Sequence, residues 1–148
     1  MYKRQPIWFP EGFRLKSADY FAVLRDSVIP WMRRIASNHA RPFCFQQDGA
    51  PAHTARATVN FLKEEGIVFW GPTMWPPCSP DANPLDYAVW SYIQQKACQS
   101  RPSSLAAMKR QVSAAWRRIP PEKIRGFCGR FRSRLEQIIA AKGGIMEK

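Results

Sequence analysis

The 148-residue sequence predicts an α/β domain. Two features carry that expectation: short β-prone runs alternate with stretches of helical periodicity, and the run order is strand, helix, strand, helix, strand, helix, helix, helix. That order favours strands that pair in parallel. The apolar content of 45% and aromatic content of 13% are enough for a packed core in a chain of one-domain length.

Ile7-Trp8-Phe9 reads as a short strand closed by the turn Pro10-Glu11-Gly12. Ser17 is a suitable N-cap for a helix whose apolar positions are Phe21, Leu24, Val28 and Ile35, with an interruption expected at Pro30. Phe43–Gln47 is a second β-prone run, ending at Asp48 and broken by Gly49-Ala50-Pro51. Thr54 can cap the next helix, which turns Val59 and Leu62 inward and stops at Gly66. Ile67-Val68-Phe69-Trp70 is the clearest strand. The stretch from Gly71 to Pro84 holds five prolines and must be an extended loop. From Leu85 a helix resumes with Val89, Tyr92 or Ile93, and Lys96 or Ala97 on one side. Leu105, Met108, Val112, Ala115 and Ile119 mark the next helix, ended by Pro120-Pro121. Ile124, Cys128, Phe131, Leu135 and Ile138 mark the last, ended by Gly143-Gly144.

The formal net charge is +12, from 23 Lys and Arg against 11 Asp and Glu, which points first to nucleic acid and second to an anionic membrane surface. Its distribution says more. Residues 41–93 carry three basic side chains against five acidic ones, while residues 94–148 carry thirteen against three. An acidic centre beside a basic flank suits a protein that collects cations and grips a phosphate backbone. Within the flank, Arg110, Arg117, Arg118, Arg125, Arg130, Arg132 and Arg134 are candidate phosphate contacts, or else a solvated basic face.

The four cysteines, Cys44, Cys78, Cys98 and Cys128, form no CxxC pair, and His39 and His53 complete no zinc spacing. They are expected to be reduced and mostly buried, in an intracellular protein. No run approaches the ~20 apolar residues of a membrane span, and none resembles a signal peptide.

Asp48 and Asp86 are the candidate chemical centres. Asp48 ends a β-prone run, where α/β folds place their functional crevice, although a plain turn residue would also sit there. Asp86 stands in the first turn of a helix, where the macrodipole alone favours an acid. The surrounding text is more specific. Gln46-Gln47-Asp48-Gly49-Ala50-Pro51-Ala52-His53-Thr54-Ala55 resembles the second-aspartate motif of mariner-type transposases. Trp75-Pro76-Pro77-Cys78-Ser79-Pro80-Asp81-Ala82-Asn83-Pro84-Leu85-Asp86-Tyr87 resembles their third-carboxylate motif. The motifs stand in the family's order, and the 37 residues between the two aspartates match a subgroup that uses three aspartates. Phe9-Pro10-Glu11-Gly12 is similar to the end of the family's third strand, and residues 134–144 to its C-terminal ending.

The resemblance implies a ribonuclease-H-like fold followed by C-terminal helices, and DNA cutting and joining with two divalent ions, Mg²⁺ or Mn²⁺. By resemblance Asp48 and Asp86 are two of three metal ligands. His53 stands at the family's histidine position near the site, with a contact to metal-bound water or phosphate or a local hydrogen bond as its two readings. Asp81 is expected to shape the loop and Asn83 to cap the catalytic helix. Trp70, Trp75 and Trp90 are expected in the core rather than stacked on bases. The implied partners are the transposon ends and target DNA, with a homodimer in the full-length enzyme and no membrane; the implied location is the nucleus. The expected division is a partial ribonuclease-H-like core over 7–93 and basic helices over 94–148. The chain opens at what resembles the third strand, so it is read as a truncated catalytic domain lacking the first two strands and the first catalytic aspartate. It is expected to be inactive and marginally stable alone. The alternative reading is a domesticated, non-catalytic nucleic-acid-binding or interaction module.

Overall fold

The computed structural model describes residues 3–39, 42–76 and 79–142. They fall into two compact units, one from Ile7 to Ser79 and one from Pro80 onward that also takes in Lys3–Pro6. The helices are α1 (Ser17–Val23), α2 (Ile29–His39), α3 (Pro51–Thr54), α4 (Arg56–Glu64), α5 (Trp90–Ala97), α6 (Leu105–Arg118), α7 (Pro121–Gly129) and α8 (Phe131–Ala140). Two five-residue π-helical segments, Leu24–Val28 and Leu85–Val89, lead into α2 and α5.

In the first unit, Pro10-Glu11-Gly12 makes the expected turn: the Phe13 N–H donates to the Pro10 carbonyl at 3.2 Å and Gly12 takes φ +71°. That left-handed angle is open to glycine at little cost. Helix α1 begins one residue earlier than expected. Lys16, not Ser17, is the N-cap, and its N–H donates to the Asp19 carboxylate at 2.9 Å. The interruption expected at Pro30 is the π segment. Proline has no N–H to return to the carbonyl four residues back, and the widened turn before it lets Ile29 N–H reach Leu24 instead.

Helix α4 is capped by Ala55 rather than Thr54, because Thr54 closes the single turn of α3. Its other end is as expected. Gly66 at φ +63° lets its own N–H reach Lys63 and the Ile67 N–H reach Leu62, both at 3.0 Å, so two terminal carbonyls are satisfied. Leu24, Ile29, Phe61, Leu62 and Ile67 form the buried core, with Phe21, Phe43, Phe45 and Phe69 packed on it.

The β structure is sparser than the sequence suggests. Among the described residues, pairing is a single parallel bridge between Phe45 and Phe69. Phe45 N–H donates to Val68 at 2.8 Å and Trp70 N–H to Phe45 at 3.2 Å. The sense is the expected parallel one, but Gly71-Pro72 and Gly49-Ala50-Pro51 end both runs before a longer ladder can form. Ile7-Trp8-Phe9 does not form the expected strand, and Ile7 and Trp8 are exposed.

The second unit is helical. Val89, Ile93, Ala97, Ala115 and Ile119 form its core, with Tyr92, Val112, Trp116, Ile124 and Phe127 against it. Of the two alternatives left open by periodicity, Ile93 and Ala97 are buried and Lys96 is exposed. Ser104 caps α6 through a bond from Ala107 N–H at 3.1 Å. At the other end Lys3 supplies what the helix lacks. Its ammonium donates to the carbonyls of Trp116, Arg117 and Ile119 at 2.9, 2.9 and 2.8 Å, a cation where the macrodipole is negative. Trp116 Nε1 donates to the Arg4 carbonyl at 2.8 Å.

Four further expectations are corrected. The last helix is two, α7 and α8, with Arg130 (φ −81°, ψ −5°) capping the end of the first and the start of the second. Leu105 and Met108, on the first turn of α6, are exposed because the core covers only its later turns. Trp75 is buried and Trp70 half-buried, 6.0 Å apart by ring centroid, but Trp90 is exposed on the outer side of α5. Cys44, Cys98 and Cys128 are free thiols but exposed rather than buried. Cys78 and the Gly143-Gly144 terminator lie outside the described residues.

Candidate functional site

Asp48 sits at the end of the extended run 43–47, and the turn that follows is built on its own side chain. Oδ1 accepts from the Ala50 N–H at 3.0 Å, the Asx-turn bond that this residue type favours. Pro51 starts α3, whose single turn bonds His53 N–H and Thr54 N–H to the Ala50 carbonyl. That turn brings the imidazole back onto the same carboxylate oxygen: His53 Nδ1 lies 2.5 Å from Asp48 Oδ1. An Nδ1–H donor in this bond leaves Nε2 as the free face of the ring. Asp48 Oδ2 accepts no hydrogen bond from a described residue, and the side chain is 47% exposed.

Two residues to which the sequence reading gave no role complete this cluster. Tyr20, from α1, places its ring 4.3 Å from the His53 ring and donates its hydroxyl to Gln47 Oε1 at 2.8 Å. Gln47 Nε2 in turn donates to the His53 carbonyl at 2.9 Å. Burial, and secondarily the Asp48 charge, hold the Tyr20 hydroxyl far above the ordinary tyrosine range, so it stays a donor. Gln47 stood inside the quoted motif. Tyr20 carried no local signal, because its role depends on α1 packing against α3.

Asp86 is held differently. The loop before it turns through a bond from Asn83 N–H to Pro80 at 3.2 Å. Asn83 is buried, its Oδ1 accepts from Leu85 N–H at 3.1 Å, and its carbonyl accepts from Asp86 and Tyr87 N–H at 2.9 and 3.0 Å. It thus performs the capping expected of it. The widened turn Leu85–Val89 buries Ala88 and Val89 and leaves Asp86 exposed. No described donor reaches the Asp86 carboxylate.

Tyr87, next to Asp86, anchors a cationic stack. Its hydroxyl donates to the Phe127 carbonyl at 2.5 Å, and the Arg134 and Arg130 guanidinium groups lie 4.4 and 5.9 Å from its ring centroid. Arg134 also donates from Nε to the Asp81 carbonyl at 2.7 Å and sits 3.5 Å from its carboxylate. Asp81 therefore shapes the loop, as expected. Arg134, read from sequence as a phosphate contact, instead pins that loop. Arg110, Arg117, Arg118, Arg125 and Arg132 are exposed, Arg132 pairing with Glu136 one turn on. Among the described residues, no three His, Cys, Asp or Glu side chains converge as a metal cluster. No described helix is long and apolar enough to cross a membrane.

No family model matches the chain. Two curated relatives do. The transposable element Tcb1 transposase of Caenorhabditis briggsae is 29% identical over 124 residues, covering 84% of this chain and 43% of that protein. The transposable element Tc3 transposase of Caenorhabditis elegans is 28% identical over 136 residues, covering 88% and 38%. The chain thus spans less than half the length of these relatives. Among solved structures, the catalytic domain of Mos1 mariner transposase superposes with a TM-score of 0.77 over 92% of this chain and 66% of that one, at 22% identity. The Mos1 strand transfer complex gives 0.72 over 93% and 38%, at 23% identity. At such identities the structural likeness is one of fold, and the sequence likeness to Tcb1 and Tc3 adds descent to it. The chain is a homologue of the Tc1/mariner-family transposases, related to them over most of its length.

Proposed function

We propose that this chain is part of a DNA transposase catalytic domain, in which Asp48 and Asp86 supply oxygen ligands for divalent metal in DNA strand cleavage and transfer. The observation that carries the reading is the same in both motifs: an exposed carboxylate, set by a preformed turn, keeps oxygen unspent on the protein. Oxygen donors of this kind suit Mg²⁺ or Mn²⁺. Mos1 catalytic-domain structures with Mn and with Mg support the choice of ion. Ions so held activate an attacking oxygen and stabilise a leaving one. Within the chain, His53 and the Ala50 N–H fix Oδ1 of Asp48, which aims Oδ2 outward, while Asn83 fixes the backbone of Asp86. The finer fold reading is a ribonuclease-H-like core over 7–93 with basic helices over 94–148. Those helices offer Arg110, Arg117, Arg118, Arg125, Arg130 and Arg132 to phosphates of transposon-end and target DNA. The Mos1 transposase paired-end complex with left transposon end supports DNA as the partner.

The test is a Mn²⁺ titration of the isotope-labelled chain. Saturable broadening of the Asp48, Ala50, Asp86 and Tyr87 amide signals is expected, with Asp48→Asn and Asp86→Asn each weakening it by about tenfold. Broadening that ignores both substitutions sinks the metal assignment. Duplex binding by the basic helices should fall with salt, by a slope of roughly 0.9 per phosphate neutralised.

A further inference from the structure

Each oxygen of an ionised carboxylate offers about two lone-pair sites, and both sites on Asp48 Oδ1 are taken. The Ala50 N–H fills one at 3.0 Å and His53 Nδ1 the other at 2.5 Å. An ionised carboxylate only accepts, so the proton of the second bond sits on Nδ1. Both donors are themselves held. The Ala50 N–H belongs to the turn that Pro51 continues into α3. The His53 ring lies against the Tyr20 ring, centroids 4.3 Å apart, and the His53 carbonyl accepts from Gln47 Nε2 at 2.9 Å. The Tyr20 hydroxyl closes the circuit on Gln47 Oε1 at 2.8 Å. Oδ2 of Asp48, by contrast, accepts no hydrogen bond from a described residue.

We infer that this network makes Asp48 a one-oxygen ligand and so sets the ion preference of the site, with Tyr20, Gln47 and His53 as positioning residues that disfavour Ca²⁺ against Mg²⁺. The inference rests on the reading that Asp48 holds a divalent ion. Ca²⁺ gathers about six to eight oxygens and often takes both oxygens of one carboxylate, whereas Mg²⁺ is octahedral, keeps several waters and needs a single oxygen from each acid. To chelate Asp48, Ca²⁺ must displace the Ala50 or the His53 bond, both strengthened by the carboxylate charge. Mg²⁺ on Oδ2 displaces neither. Ca²⁺ confined to Oδ2 gives up the second oxygen that would favour it.

The experiment titrates Mg²⁺ and Ca²⁺ separately into the isotope-labelled full chain and follows the Asp48 and Ala50 amide signals and the His53 Nδ1 proton. The parent chain should bind Mg²⁺ at least as tightly as Ca²⁺ and keep the His53 proton signal through both titrations. His53→Ala frees a site on Oδ1 and should tighten Ca²⁺ by about tenfold, while Mg²⁺ changes by less than about threefold. Tyr20→Phe, which keeps the ring and loses the bond to Gln47, should move the same ratio the same way by a smaller factor, as should Gln47→Leu. Loss of structure would weaken both ions together, so a variant that strengthens one of them reports the network rather than stability. A parent chain that prefers Ca²⁺, or a His53→Ala chain whose ratio of the two affinities is unmoved, overturns the inference. Asp48→Asn separates it from the reading beneath. If that variant abolishes the shifts, Asp48 is a ligand and the ion preference alone is decided by the other variants; if the shifts persist, the ligand assignment fails and the inference with it.

Discussion

Around Asp48 the protein fixes a side chain, whereas around Asp86 it fixes a stretch of backbone. The first carboxylate has one oxygen held by a main-chain N–H and an imidazole, and behind them stand Gln47, its neighbour in the chain, and Tyr20 from α1. The second has no described donor on its carboxylate, but its main chain is held by Asn83, and the neighbouring Tyr87 and Asp81 are held by Arg134. The difference follows from local structure. An acid after an extended run has no helical backbone to aim it, so its own hydrogen bonds must do so. An acid in the first turn of a helix is aimed by the helix start, and the surroundings need only fix that start.

The comparison breaks most readily at the packing beneath it. Leu62 is fully buried in the first unit's core, and Leu62→Ala should cost about 2–5 kcal/mol, read as earlier chemical unfolding and lost amide protection in α1 and α4. No such loss would mean that the Asp48 cluster does not rest on this core. In the second unit, Arg134→Ala removes a stack and a bond to a carbonyl, at about 1–2 kcal/mol, while its ion pair with exposed Asp81 adds little. Arg134→Lys should behave nearly as badly, since an ammonium cannot both cover the Tyr87 ring and present Nε to Asp81. If Lys restores stability and the Asp81 amide shift, the clamp is only a charge. Asn83→Ala should cost about 1 kcal/mol and release protection at Leu85, leaving the Asp48 signals in place.

The parts legible in sequence were those with local causes. Gly66 stops α4 and Pro30 forces a widened turn because each acts through its own backbone. Asp48, His53, Asn83 and Asp86 sat inside two continuous motifs, so their neighbourhood could be read directly. What escaped depended on distant partners. Nothing near Lys3 says that it will cap the end of α6, and nothing near Arg134 says that its guanidinium will be taken up by Tyr87 and Asp81. A basic helix reads as a phosphate surface until tertiary contacts occupy its arginines. The strands were over-read for a related reason: β-propensity describes a run of side chains, while a strand exists only through the neighbour it pairs with.

A change read by titration rather than by unfolding tests how tightly the Asp48 cluster is closed. The Tyr20 hydroxyl ionises only well above its ordinary pKa of 10.0, first because it is buried and second because Asp48 repels a phenolate. Below about pH 10 the tyrosine keeps its proton in both the folded and the unfolded chain, and its contribution to stability is complete. Above that, the unfolded chain releases the proton and the folded chain does not. Stability therefore falls with rising pH, by at most ~1.4 kcal/mol per unit, until the folded-state pKa is passed. Phenolate absorbance should show Tyr20 titrating late, as does Tyr87, whose pKa burial also raises, and Tyr20→Phe should remove one delayed component and leave that of Tyr87. In Asp48→Asn the delayed titration should shift down only in part, since burial is the larger cause. A Tyr20 that titrates normally in the parent chain would mean that water reaches the hydroxyl, and with it the face of His53 that holds Asp48.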